Sequence, residues 1–337
     1  MNTTKRSFLK LVSGTALSLG LALGVGLGTT PGTAAAADLP DTITVDYAYY
    51  NPVALLLKNK GWLEEEFAKD DIEVRWLLSL GSNKALEFLN GGSADFASTA
   101  GSAAVVGKAN GIPIKAVYVY SKPEWTALVT SKDSEITKVE DLKGKRVAVT
   151  RGTDPHIFLL RALADAGLSE GDIETVLLQH PDGYRALEKG QVDAWAGLDP
   201  HMAKAELESG SRLFFRNADY NTYGILNVRE EFAAAHPDLV TRVLRVYEKA
   251  RRYSIEHPEE LRAALVDAAR LTDEVAAKQL GERTDITNPV VGPEHRTTFV
   301  ETGKVLQSIG VLKPEVNVEQ VVNELIDSSY ISSLAAK

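Results

Sequence analysis

From Thr42 to about Arg216 the sequence alternates short β-branched runs with stretches of helical periodicity. This alternation constrains the fold more than any other feature. The runs 42–48, 72–78, 94–98, 114–120, 146–150, 175–178, 193–196 and 213–216 read as strands. Between them lie helical patterns over 52–60, 83–90, 102–110, 155–166, 183–189 and 200–209. Strand–helix alternation means βα units on mainly parallel sheets, an α/β fold. After Arg229 the pattern becomes mostly helical, over 237–256, 258–271, 273–281, 294–310 and 318–327.

Two places break the alternation. Lys122-Pro123-Glu124-Trp125 precedes the apolar run 126–130, and Asp219-Tyr220-Asn221-Thr222-Tyr223 precedes 224–228. Both read as extended segments passing between two lobes. Residues 38–124 and 226–337 then form lobe 1, residues 125–225 form lobe 2, and a two-strand hinge joins them, a geometry that bends readily. The length supports two lobes, because 337 residues exceed what one hydrophobic core usually serves. A weak internal similarity does so too. Residues 85–97 and 186–196 each read as a helix, a glycine in the left-handed cap, an aspartate and a strand.

Residues 1–37 have the layout of an export signal. Lys5, Arg6 and Lys10 precede an apolar, glycine-rich stretch that ends in Ala35-Ala36-Ala37, which suits cleavage before Asp38. The segment 4–10 is similar to the twin-arginine export motif with lysine in the first arginine position, and a general secretory signal fits as well. Loss of those three positive charges takes the formal charge from −9 to −12. An acidic chain without a basic block argues against nucleic acid and against anionic membrane surfaces. The chain has no cysteine. That excludes a lipidated cysteine anchor, a thiolate metal site, a disulfide framework and a cysteine nucleophile. An exported chain without such an anchor is expected in a periplasm.

In open parallel sheets ligands bind at the carboxyl ends of strands, where unpaired helix N-terminal amides hold anions. After the first strand come Tyr50 and Asn51, with Asn51 suited to cap a helix that Pro52 begins. After the second come Gly81, Ser82 and Asn83, and after the third Thr99, Ala100, Gly101 and Ser102, two small polar helix entrances in one lobe. Lobe 2 offers Arg151, Thr153, Asp154 and His156, with Arg151 a natural partner for a planar or tetrahedral anion. Asp199 and His201 repeat the Asp-Pro-His order at a later helix start. Trp125, Trp195 and Tyr223 could wall the carbon part of a ligand, although lobe core suits Trp195 better. Capping and surface ion pairing explain many of these residues equally well. Phosphate-loop, dinucleotide-fold and nucleophile-elbow motifs are absent, and the six histidines have no zinc-type spacing. No cofactor and no metal is expected.

Five strings together resemble the substrate-binding proteins for aliphatic sulfonates, relatives of the taurine, sulfate-ester and nitrate binders. They are GWLEEEF (61–67), GSNKALEFLNGGSADFAST (81–99), KANGIPIKAVYVYSKPEWTALVT (108–130), DLKGKRVAVTRGTDPHIFLLRAL (141–163) and DAWAGLDPHMAKAE (193–206). The resemblance implies a type II periplasmic binding protein fold, two α/β lobes with a ligand between them, and delivery to ABC permease subunits in the inner membrane. It implies a small organic anion as ligand, a sulfonate, and a monomer that is not an enzyme. It places the anion-contacting loops on Gly81 to Asn83, Thr99 to Ser102 and Arg151 to His156. Leu198 stands where relatives often have tryptophan, which would alter the pocket wall. Taurine, a sulfate ester, nitrate, bicarbonate or a pyrimidine as ligand, a sensor role, and an enzyme on the same fold remain alternatives. The cysteine-rich iron motif of the thiamin-pyrimidine synthases in this superfamily is ruled out by the absence of cysteine.

Overall fold

Prolines and small polar caps set where the helices begin. Asn51 accepts a hydrogen bond from the Ala54 amide, and Pro52 occupies the first helical turn. Pro237, Pro258 and Pro293 start three later helices in the same way. The computed structural model describes residues 39–335. The export segment expected over residues 1–37 lies outside the described residues.

In chain order the elements are β1 (Thr42–Tyr47), α1 (Pro52–Lys60), α2 (Trp62–Phe67), β2 (Glu73–Leu78), α3 (Ser82–Asn90), β3 (Phe96–Ala100), α4 (Gly101–Ala109) and β4 (Ile114–Pro123). Then come β5 (Thr126–Thr130), β6 (Arg146–Val149), α5 (Asp154–Asp165), β7 (Glu174–Leu177), α6 (His180–Glu188), β8 (Ala194–Leu198), α7 (His201–Ser209), β9 (Arg212–Phe215) and β10 (Gly224–Arg229). The remainder is α8 (Glu230–Ala235), α9 (Pro237–Glu256), α10 (Pro258–Ala269), α11 (Asp273–Arg283), a two-residue β11 (Thr284–Asp285), α12 (Pro293–Ser308), α13 (Val318–Leu325) and α14 (Ser329–Ala335). No helix among the described residues is long and apolar enough to cross a membrane.

The strands form two sheets. Their orders are β11-β4-β10-β3-β1-β2 and β7-β6-β8-β5-β9. Leaving out β11, both read as second, first, third, reversed, fourth. β10 runs antiparallel to β3 and β4, and β5 runs antiparallel to β8 and β9. Each reversed strand is the first one the chain makes after crossing into that sheet, so the sheets are mixed where the sequence suggested mainly parallel pairing. The similar segments 85–97 and 186–196 fall on α3–β3 and α6–β8, equivalent places in the two sheets. Each helix is followed by a glycine at positive φ, Gly92 and Gly190, the backbone state that glycine adopts without steric cost.

The second sheet is buried on both faces. Leu128, Ala194 and Ala196 face a core built on Phe158 and Leu163, while Ala127, Val129 and Trp195 face Tyr184 and Leu187. This alternation follows from the two-residue period of a strand. The 20-residue α9 lays Leu239, Val240, Val243, Leu244, Tyr247 and Ala250 on the first sheet's core, at helical spacing.

The chain crosses between sheets at Glu124-Trp125 and again over residues 216–223. Neither crossing is a strand. The second contains a short turn, Ala218–Tyr220. The sheets also meet directly. Arg283, at the end of α11, donates to Asp199 at 3.2 Å and to Glu206, both on the other sheet's side. The side chains of Arg283 and Asp199 are each 1% exposed.

Candidate functional site

The carboxyl ends of β1, β2 and β3 face those of β6 and β8 across a small buried cavity. Tyr50, Ser82 and Ala100 line it from the first sheet. Thr153, Asp154, Pro155 and Leu198 line it from the second, and Trp125 of the first crossing closes it. Its volume is about 10 Å³, room for about one water molecule. Tyr50 donates to the Ser98 carbonyl and presents its ring edge-on to Trp125, with centroids 5.9 Å apart. A larger depression of about 690 Å³, between residues 131–145 and 187–193, lies at the opposite end of β6 and β8, away from their carboxyl ends.

The three helix ends around the cavity differ in what they can still bind. At α4 the first two amides are already used. Gly101 donates to the Tyr223 carbonyl at 2.8 Å, and Ser102 donates to Thr222 Oγ1 at 3.1 Å. At α5 the Thr153 carbonyl takes the His156 and Ile157 amides, and Pro155 has no amide to offer. At α3 the Ser82 and Asn83 amides belong to the first turn, where no intrahelical acceptor exists. Ser82 Oγ accepts the Ala100 amide, which leaves its hydroxyl hydrogen to donate elsewhere.

His180, the first residue of α6, stands over this end of α3. A Cβ on Gly81 would lie 3.3 Å from His180 Nε2. The imidazole is fully buried, and neither ring nitrogen has a hydrogen-bond partner. Burial, reinforced by the charge of His201, pushes its pKa down to about 3. His180 is therefore a neutral group with one N–H to donate. Asn83 Oδ1 is also buried without a partner.

Asp154 is the densest node. Its Oδ1 accepts from Ser102 Oγ and, at 3.0 Å, from Thr222 Oγ1. Its Oδ2 accepts from Trp125 Nε1 at 2.8 Å and from the Thr222 amide at 3.1 Å. One 2%-exposed carboxylate thus joins α5 to α4 and to both crossings. Ser102, expected to offer a free hydroxyl and amide, is committed to Asp154 and Thr222.

The structure brings Tyr50, Gly81, Ser82, Asn83, Ala100, Trp125, Thr153 and Asp154 to the cavity or to its α3 end. It places the others elsewhere. Asn51 is buried beneath, capping α1 and donating to Ser98 Oγ. Thr99 turns to Asn227, because successive strand residues face opposite ways. Gly101 packs against Phe299, whose ring would lie 2.3 Å from an added Cβ. Tyr223 packs on His295, ring centroids 4.2 Å apart. Arg151 does not reach the cavity. Its side chain is 59% exposed and pairs with Glu170 at 3.1 Å. His156 lies with Arg151 in a separate groove of about 570 Å³ closed by residues 308–311. Its pKa is lowered by burial against the opposing pull of Glu170. Asp199 accepts from Arg283 and the Ala203 amide, and burial lifts its pKa to about 6 although Arg283 pulls it down. Trp195 is in the second sheet's core. His201 stacks on Tyr184, burial holding its pKa near 4. His180 and Thr222 are the residues that sequence reading missed. His180-Pro181 follows a strand and opens a helix, so the rule applied to the other loops would have found it. Thr222 carries no such signal.

A family model described as NMT1/THI5 like matches residues 54–261, more than half of the chain. The chain belongs to this NMT1/THI5-like family. A protein of Bacillus subtilis (strain 168), provisionally named aliphatic sulfonates-binding, is 29% identical over 272 residues, 80% of this chain and 82% of the relative. One of the same name from Escherichia coli (strain K12) is 28% identical over 288 residues, 85% and 90% of the two chains. Among solved structures, the alkanesulfonate-binding protein SsuA from Xanthomonas axonopodis pv. citri, bound to MOPS, superposes with a TM-score of 0.76 at 25% identity. It covers 85% of this chain and 99% of that one. The NMT1/THI5-like chain therefore has the periplasmic binding protein fold, and these relatives are binding proteins.

Proposed function

We propose that this chain is the substrate-binding component of an ABC importer, capturing a small organic anion, an aliphatic sulfonate, between its lobes. The observation that carries the reading is the α3 N-terminus. Ser82 lines a cavity walled by Tyr50, Trp125 and Leu198, and beside it are two first-turn amides and, over Gly81, the unpartnered, buried His180. Helix N-terminal amides suit an anionic oxygen cluster, and the aromatic and aliphatic wall suits a short carbon tail. A sulfonate stays ionised at every working pH and needs no proton transfer, so neutral His180 serves as a donor. The similarity to sulfonate-binding proteins, over 80–85% of this chain, supports the same ligand class.

Room for a ligand comes from parting the lobes, 38–124 with 226–337 against 125–225, by rotation at the two crossings. The ligand then selects the closed state by its greater affinity for it. A micromolar binder has about −8 kcal/mol available, part of which closes the lobes. In this reading the protein acts as a monomer, catalyses no covalent step and takes no cofactor. Residues 1–37 serve as a cleaved export signal to the periplasm, and the loaded protein docks on permease subunits in the inner membrane.

Thermal unfolding against alkanesulfonates, an aryl sulfonate, a sulfate ester, sulfate, nitrate and a thiamin pyrimidine tests the proposal. A ligand at 100 times its Kd adds about 2.7 kcal/mol. Stabilisation by organic sulfonates and none by nitrate or sulfate is expected. Stabilisation by a pyrimidine or nitrate alone overturns the sulfonate assignment.

A further inference from the structure

His180 is fully buried, and both of its ring nitrogens lack a hydrogen-bond partner. A buried polar group left in that state costs stability, so its presence asks for a function. The ring turns its Cδ2–Nε2 edge to the start of α3, each atom 3.3 Å from where a Cβ on Gly81 would sit. His180 is also the first residue of α6. Two helix N-termini therefore meet at this imidazole, and the partial positive charge of each opposes an imidazolium. The elements packed around it supply no counter-charge. On α7, His201 opposes protonation, Lys204 pairs with Glu208, and Glu206 pairs with Arg283. On α6 itself Asp182 pairs with Arg185, and Glu188 accepts from Tyr184 and Ser209. Lys84 of α3 pairs with Glu87, Arg146 of β6 pairs with Asp193, and β8 carries no charged residue.

We propose that a bound anion supplies the missing counter-charge, so that capture of an anion at the α3 end is coupled to uptake of one proton by His180. This rests on the sulfonate-binding reading and deepens it. The proton comes from solvent and adds to a ring nitrogen, and no other bond changes. An anion about 4 Å from the ring favours the imidazolium by about a thousandfold at an effective dielectric constant of about 20. In the free protein burial holds the His180 pKa down at about 3. The ring therefore gains its proton in the complex at a pH where the free protein keeps it neutral. By linkage, affinity rises as the pH falls through that range. His201 is neutral at pH 5, because burial lowers its pKa to about 4. At pH 7.5 His180 stays a neutral donor in both states.

Calorimetric titration with propane-1-sulfonate, a monoanion throughout, tests the coupling. Runs at pH 7.5 and pH 5 in buffers of different ionisation enthalpy read affinity and proton uptake together. The wild-type protein is expected to bind about tenfold more tightly at pH 5 than at pH 7.5. It is expected to take up close to one proton at pH 5 and almost none at pH 7.5. His180→Gln is expected to lose both the pH dependence and the uptake. Uptake that persists in His180→Gln assigns the proton to a carboxyl group, such as Asp46 beneath the cavity, and overturns the inference. Equal wild-type affinity at the two pH values, without uptake, overturns it and leaves the sulfonate reading intact. Absence of binding at both overturns the sulfonate reading and the inference with it. Should His180→Gln fail to fold, NMR of the imidazole nitrogens in the wild-type protein decides. One histidine that is neutral at pH 5 in the free protein and protonated in the complex is expected, and histidine signals that ligand leaves unchanged overturn the coupling.

Discussion

Asp46 lies on β1 beneath the cavity, fully buried, and two features of its surroundings decide how the fold responds to pH. Its Oδ1 accepts from the Ser98 amide and hydroxyl at 2.8 Å each, while Oδ2 has no partner. Burial outweighs the hydrogen bonds from Ser98 and raises the pKa from 3.8 to about 6. A carboxyl with a raised folded-state pKa holds its proton to higher pH in the folded chain than in the unfolded one. Its contribution is therefore most favourable below pH 3.8, falls as pH rises towards 6, and above 6 is a constant penalty. A shift of about two units corresponds to roughly 3 kcal/mol at 1.36 kcal/mol per unit, an order-of-magnitude figure. Asp46→Asn keeps an oxygen to accept from Ser98 and carries no charge. Urea unfolding is expected to show the variant as much as about 3 kcal/mol more stable than wild type at pH 7.5, and nearly equal to it at pH 4. A variant that is less stable than wild type at pH 7.5, or a difference that does not change with pH, would refute the reasoning.

Other substitutions read other parts of the molecule. Arg283→Met strands Asp199 and Glu206 without their cation, and with the lobes shut it costs about 3–5 kcal/mol in urea unfolding at neutral pH; no measurable loss would mean that the pair is solvated. Gly101→Ala sets a Cβ 2.3 Å from the Phe299 ring and lowers stability by about 1–3 kcal/mol through overpacking, read as a drop in Tm. Gly81→Ala places a methyl 2.8 Å from Asn83 Oδ1 and 3.3 Å from His180, narrowing the anion end of the cavity. Calorimetry is expected to show sulfonate affinity reduced about tenfold or more, 1.4 kcal/mol of binding energy, and unaltered affinity would remove α3 from the site.

The elements most legible in the sequence are those whose ends are chemically marked. α1 and α9 begin and end at the expected residues, because Asn51-Pro52 and Pro237 fix their starts. α6 begins at His180 where residue 183 was expected, because Pro181 already supplies the first turn and Gly183 is tolerated within it. Gly183 allows the close approach of Trp195, whose Nε1 would lie 2.7 Å from an added Cβ. The cavity wall was legible wherever a strand end runs into a small residue, as at Ser82 and Ala100. It was not legible where orientation depends on a distant partner. Arg151 turns outward because Glu170, 19 residues on, is there to pair with it. Asp199 is removed from the cleft by Arg283, 84 residues away. Asp154 was a candidate from its place at a helix start, but its hydrogen bonds to Ser102, Trp125 and Thr222 join three residues that no local pattern connects.

A crystal structure of the complex with 2-aminoethanesulfonate or propane-1-sulfonate tests the central claim most directly. The account predicts sulfonate oxygens about 3 Å from the Ser82 and Asn83 amides, with the tail between Tyr50 and Trp125. A ligand bound in the Arg151–His156 groove, or away from the interface between the two sheets, would contradict it.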